Sequence, residues 1–115
     1  MTMSFFHDGL TEDEKNNEQI QDVTLSTGNV NVKYIVRDVI FIAERHQIDL
    51  FDEQLDLNEV FSSIMFKLKK KAFSYGADAV INCHFEHEAV KEEGLPYLEL
   101  FAYGTVVQFT QTTIG

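Results

Sequence analysis

A single run, GADAVINCHFEHEAV from Gly76 to Val90, holds the residue types most able to do chemistry: Cys83, His84, Glu86, His87 and Glu88. Thiolate, imidazole and carboxylate are the usual donors to zinc, and the same groups serve as nucleophile and base. The run also alternates as a β-strand does, and alternation divides it. Cys83 and His87 project to one side, and His84, Glu86 and Glu88 to the other. A tetrahedral zinc site needs ligands converging on one point, usually from at least two chain segments. The sequence has no CxxC, no second cysteine and no HxxxH on a helix. His84 and Glu86 share a face and are the candidate metal ligands. A divalent metal ion is the cofactor they would take, with copies from neighbouring subunits supplying the missing donors. The same alternation of polar groups is what the wet face of an antiparallel strand shows. Cys83 lies between Ile81 and Phe85 on the apolar side and reads as a small buried hydrophobe.

No catalytic residue is assigned. A nucleophile needs a base within hydrogen-bond reach and a group to stabilise developing charge. Cys83 and His84, adjacent on a strand, face opposite ways. Asp78 lies at a helix–strand junction, where a carboxylate caps backbone amides. His7 and His46 stand in polar context without an evident partner. There is no phosphate-cradling glycine loop and no dinucleotide fingerprint.

Those residues must be positioned by a small fold. A chain of 115 residues is one domain, and 44% hydrophobic residues can bury a core without a disulfide or metal. With 9 Lys+Arg against 19 Asp+Glu, the net charge of -10 argues against nucleic acid and anionic lipid as partners. A lone cysteine cannot form an internal disulfide. The start, MTMSFFHDGLTEDEKNNEQ, lacks the basic and apolar regions of a signal peptide. No stretch reaches the roughly 20 apolar residues of a membrane span. The expectation is a cytoplasmic protein with no membrane partner.

Residues 1–19 read as a flexible acidic tail, with Phe5, Phe6 and Leu10 able to touch a surface, and 20–115 as the folded domain. DVTLS and VNVKYIVRDVIFIA alternate on either side of TGN and predict a hairpin. AERHQIDLFDEQLDL reads as a connection holding at most a helical turn. Asp56, with Glu59 three residues on, opens a long helix. Its stripe is Leu57, Val60, Phe61, Ile64, Leu68, Ala72 and Tyr75, and Gly76 ends it. Phe66 and Phe73 lie off that stripe. In the next strand Ala79, Ile81, Cys83 and Phe85 share one face, and Val80, Asn82, His84 and Glu86 the other. In the last strand Leu98, Leu100, Ala102 and Val106 oppose Tyr97, Phe101, Tyr103, Val107 and Phe109. Both faces are largely apolar, and one helix layer covers only one. The prediction is a two-layer β-β-α-β-β domain of α+β class, an antiparallel sheet packed on one long helix. Phe66, Phe73, Phe101 and Tyr103 would form the contacts of a homo-oligomer.

AFSYGADAVINCHFE followed by LELFAYGTVVQF resembles the YbjQ-like family, labelled heavy-metal-binding. The matching residues are Gly76-Ala77-Asp78-Ala79-Val80 and Gly104-Thr105-Val106-Val107. VTLSTGNV is similar, more loosely, to that family's first strand. The likeness runs from about Asp22 to Phe109. Where the family carries a glycine-rich second strand, this chain has Tyr34-Ile35-Val36-Arg37-Asp38, and its connection from Glu44 to Leu55 diverges. The resemblance implies strands around one helix assembling into a dodecin-like or YbjQ-like ring, most often a pentamer. Three functions follow in order: a ring-forming module holding a metal ion or small ligand at subunit boundaries, an interaction protein without a small-molecule site, and an enzyme whose site is shared between subunits.

Overall fold

The computed structural model describes residues 12–48 and 56–110. The elements are α1 (Glu12–Gln21), β1 (Thr24–Leu25), β2 (Tyr34–Gln47), α2 (Leu57–Phe73), β3 (Ala79–Glu92) and β4 (Leu95–Phe109). The strands form one sheet in the order β1-β3-β4-β2. This is a small α+β domain, with two helices rather than one among the described residues and a mixed rather than antiparallel sheet.

α2 forms as its sequence requires. Asp56 caps it, its carboxylate accepting from the Asn58 amide at 2.9 Å. Ile64, Leu68 and Ala72 are fully buried against the sheet. Gly76, at φ 69, ends the helix in a Schellman turn. Its amide donates to Phe73 O at 2.9 Å, and the Ala77 amide to Ala72 O at 3.3 Å.

α1 occupies residues that composition alone assigns to a tail. Glu12, Asp13 and Glu14 suit the positive end of its dipole. Ile20 is buried, and Lys69 Nζ donates to Gln21 O at 2.8 Å, fastening the last turn to α2. One apolar side chain gives no readable stripe, so the helix is invisible to periodicity. Phe5, Phe6, His7 and Leu10 lie outside the described residues, as does the connection over 49–55.

The predicted β1–β2 hairpin does not form. β1 is two residues long and pairs in parallel with β3, Thr24 opposite Ala79 and Leu25 opposite Val80. β2 pairs antiparallel with β4 and continues to Gln47, so the charged segment read as a connection begins as strand. Among the described residues β3 and β4 form a hairpin, turning through Glu93 (φ 53) and Gly94 (φ 80), both left-handed as a type I′ turn needs.

The face assignment in β3 also needs correction. Asn82 takes φ 52, and the register shifts between Ile81 and His84. This bulge inverts the alternation. Val80 and Cys83 face α2 and join the main core with Leu98, Leu100, Ala102 and Val106. Ala79 and Ile81 face the other way, where they pack with Val107, Tyr34 and Phe109. Ala79 and Ile81 therefore do not share the face of Cys83 and Phe85.

Candidate functional site

The bulge decides which side chains reach the sheet face away from α2. Beyond it, β3 and β4 pair His84 with Tyr103, Glu86 with Phe101 and Glu88 with Glu99. β2 completes the face, with Phe41 opposite Tyr103 and Ala43 opposite Phe101. Residues paired across an antiparallel sheet project to the same side. The His84 ring stacks on Tyr103 with centroids 5.0 Å apart and planes 12° apart. Phe41 stacks on Phe101 at 6.1 Å. Phe41 is 53% exposed and Val39, two residues before it, 66%. At the far end Arg45 binds Glu92 and Glu99 and lies 5.2 Å over the Tyr97 ring.

His84 and Glu86 thus sit on one face, as alternation predicted, beside Phe101 and Tyr103. Among the described residues neither is joined by a third donor, and these residues hold no group of three or more His, Cys, Asp or Glu placed to hold a metal ion. Cys83 is buried, its Sγ 3.3 Å from Val80 O, and burial pushes its thiol up in pKa. Burial and a raised pKa disfavour the thiolate, the form that acts as nucleophile. His87 meets the edge of Phe61 at 6.0 Å on the α2 side. Phe66 is half-buried, and Phe73 packs partly against the chain's own core.

Two features were not found from sequence. Phe41 lies in a run of β-branched residues whose faces depend on the irregularity between Val36 and Asp38 in β2. Glu44 is 8% exposed on the α2 side, in phase with Ile40 and Ile42. Its carboxylate accepts from Lys67 Nζ at 2.5 Å and Ser63 Oγ at 3.0 Å, with His46 Nε2 at 2.9 Å. The hydroxyl and the imidazole both meet the carboxylate, so this is a buried ionic network and not a nucleophile–base relay.

Asp78 is a tie between strands. Its Oδ2 accepts from the Phe109 amide at 2.7 Å, its own amide donates to Val107 O, and its carbonyl accepts from the Thr24 amide. Replacing Asp78 with alanine orphans the Phe109 amide. The expected loss is about 1 kcal/mol of unfolding free energy, read as a lower urea midpoint at constant slope. An unmoved midpoint would show the bond to be dispensable. A shallow cavity of about 240 Å³ adjoins this junction, lined by Gln19, Asp22, Val23, Phe73, Gly76, Ala77 and Asp78. Asp78 is already committed to Phe109, which leaves the cavity few groups with which to select a ligand.

The family model described as "putative heavy-metal-binding" (YbjQ) matches residues 49–110, more than half of the chain. The chain belongs to that family. A crystal structure of a protein of unknown function from Pediococcus pentosaceus ATCC 25745, assigned to the DUF74 family, is similar at 26% identity and a TM-score of 0.67. The match covers 76% of this chain and 97% of that one. It therefore extends beyond the residues of the family match and takes in nearly the whole of the neighbour's fold. No curated protein matches the chain. Within the YbjQ family motif GADAV, Gly76 ends the helix, Ala77 closes the Schellman turn and Asp78 ties β1 to β4. Those residues act on the fold. No helix among the described residues is long and apolar enough to cross a membrane.

Proposed function

We propose that this YbjQ-like chain is a cytoplasmic ring-forming module, a pentamer by family resemblance, that holds a divalent metal ion or small ligand at the boundary between subunits. One observation carries the reading. Phe41, Phe101 and Tyr103 line the face away from α2, together with His84 and Glu86, and Phe41 is half-exposed there. Aromatic side chains left open beside a pair of potential donors fit a surface completed by another copy. Phe66 on α2 would add to the contact, while Phe73 is partly engaged by its own core.

Light scattering of the untagged protein at micromolar concentration is expected to give a multiple of the monomer mass. Elemental analysis after dialysis is expected to find stoichiometric metal that His84→Ala and Glu86→Gln both remove. A monomer would overturn the ring. The stacking of His84 on Tyr103 favours a second reading, in which the imidazole is an interface side chain and the assembly is an interaction module with no small-molecule site. A metal-free oligomer that His84→Ala weakens would select it.

A further inference from the structure

Among the described residues, both outer margins of the sheet are blocked over one half and unpaired over the other. On β3 the N-terminal half is covered: β1 pairs with Ala79 and Val80, and the carbonyls of Gly28 and Ser26 accept from the Asn82 and Cys83 amides at 2.9 Å. Beyond that point, over 84–92, no described strand pairs with β3 on this side. On β2 the margin is blocked by side chains. Asp38 Oδ1 accepts from the Val39 amide at 2.8 Å, and its other oxygen is held by Tyr75 Oη at 2.6 Å. Lys71 Nζ donates to Phe41 O at 3.3 Å. Over 43–47 no described strand pairs with the outer side of β2. Both β2 and β3 run antiparallel to β4, so they are parallel to each other. The two blocked halves lie at one end of the sheet and the two open halves at the other.

We propose that copies of this chain join edge to edge, residues 84–92 of β3 in one subunit pairing in parallel with residues 43–47 of β2 in the next. The proposal rests on the self-assembly reading above and gives it a contact. An unpaired strand margin is a template for another strand, and the protections confined to one end leave the other end competent. The two margins differ, so the contact is heterologous, and repetition about an axis closes a ring. β2 and β3 run the same way within a subunit, so a sheet continued in the same sense from one copy to the next pairs them in parallel. The self-complementary alternative, β3 on β3, sets Glu86, Glu88 and Glu92 of two copies side by side, a like-charge arrangement that strands disfavour. The open half of β2 brings no uncompensated carboxylate: Glu44 is neutralised by Lys67, and Arg45 is engaged by Glu92 and Glu99 of its own chain.

Ala43, Glu86 and Glu88 all project from the face away from α2. The test is oxidation of full-length Ala43→Cys/Glu86→Cys and Ala43→Cys/Glu88→Cys to disulfides, run on non-reducing gels beside each single variant and the unsubstituted chain, whose buried Cys83 is the background; within one subunit Ala43 and Glu86 are separated by β4, roughly 10 Å apart and out of disulfide reach. The expected result is a ladder beyond dimer on denaturing gels for the double variants and monomer for the rest. Dimers from Glu86→Cys or Glu88→Cys alone would overturn the proposal in favour of β3 self-pairing. An oligomer by light scattering with no ladder in either double variant would overturn the edge assignment and leave self-assembly standing. A monomer would remove both.

Discussion

Gly104→Ala is expected to be the most damaging single-atom addition to this fold. A Cβ built there lies 2.6 Å from Val80 Cγ1, 3.1 Å from Ile81 O and 3.3 Å from Cys83 Sγ. The cause is the β3 bulge. Ile81 pairs with Thr105 and His84 with Tyr103, so Asn82 and Cys83 together stand opposite Gly104. Val80 and Cys83 both turn toward α2, and the space between them is the space a methyl would need. Val80 is fully buried and β-branched, and one of the atoms in the way is backbone, so neither yields cheaply. Overpacking of this kind costs about 1–3 kcal/mol, and the closeness of the contact places it at the upper end. For a domain near this size that is a fall of roughly 10 °C in Tm. The identity of the clash is checked by a double-mutant cycle. Val80→Ala removes the nearest atom, so Val80→Ala/Gly104→Ala should cost at least ~0.5 kcal/mol less than the sum of the two single changes. Strict additivity in thermal melts would mean that the bulge relaxes by another route.

The bulge also marks where the sequence stops being readable. α2 was legible because its signals are local: a capping aspartate, a stripe at three- and four-residue steps and a terminating glycine all lie within one segment. The faces of β4 were legible for the same reason, since its alternation runs unbroken from Leu98 to Val107. In β3 the rule of alternation failed at one residue, Asn82, which takes the left-handed backbone that asparagine tolerates better than most residues but does not require. The same defect, however, keeps His84 and Glu86 on one face beside Phe101 and Tyr103, despite the error in the residues before them. The β1–β2 hairpin was misread because pairing between distant segments is decided by tertiary packing. A two-residue strand beside β3 outcompetes a turn-flanked neighbour once α2 has crossed between them. Glu44 was missed because a carboxylate is read as exposed unless its partners are known. Two of those partners, Ser63 and Lys67, lie on another element.

Glu44→Gln should show what that buried carboxylate contributes and at which pH. Burial opposes the charge. The hydrogen bonds from Lys67, His46 and Ser63 outweigh it and hold the carboxyl below its usual range. An unfolded glutamate titrates near about 4.3, so the folded state binds the proton less readily than the unfolded one. Its stabilisation is therefore fully present above about pH 5 and is lost as pH falls through the lower folded value. At pH 7 the amide can still accept one hydrogen bond but cannot neutralise Lys67, and a loss of about 1–3 kcal/mol is expected. Once the pH has fallen through that lower folded value the wild-type chain protonates Glu44 as well, and the two unfolding curves should converge. Lys67→Met separates charge pairing from burial. Without the ammonium, desolvation has less to oppose it, and the acid limb of the stability profile should move to higher pH than in the wild type. A constant gap between Glu44→Gln and wild type from pH 7 to pH 3, measured by urea denaturation, would mean that the network stabilises the fold through packing and not through its charge.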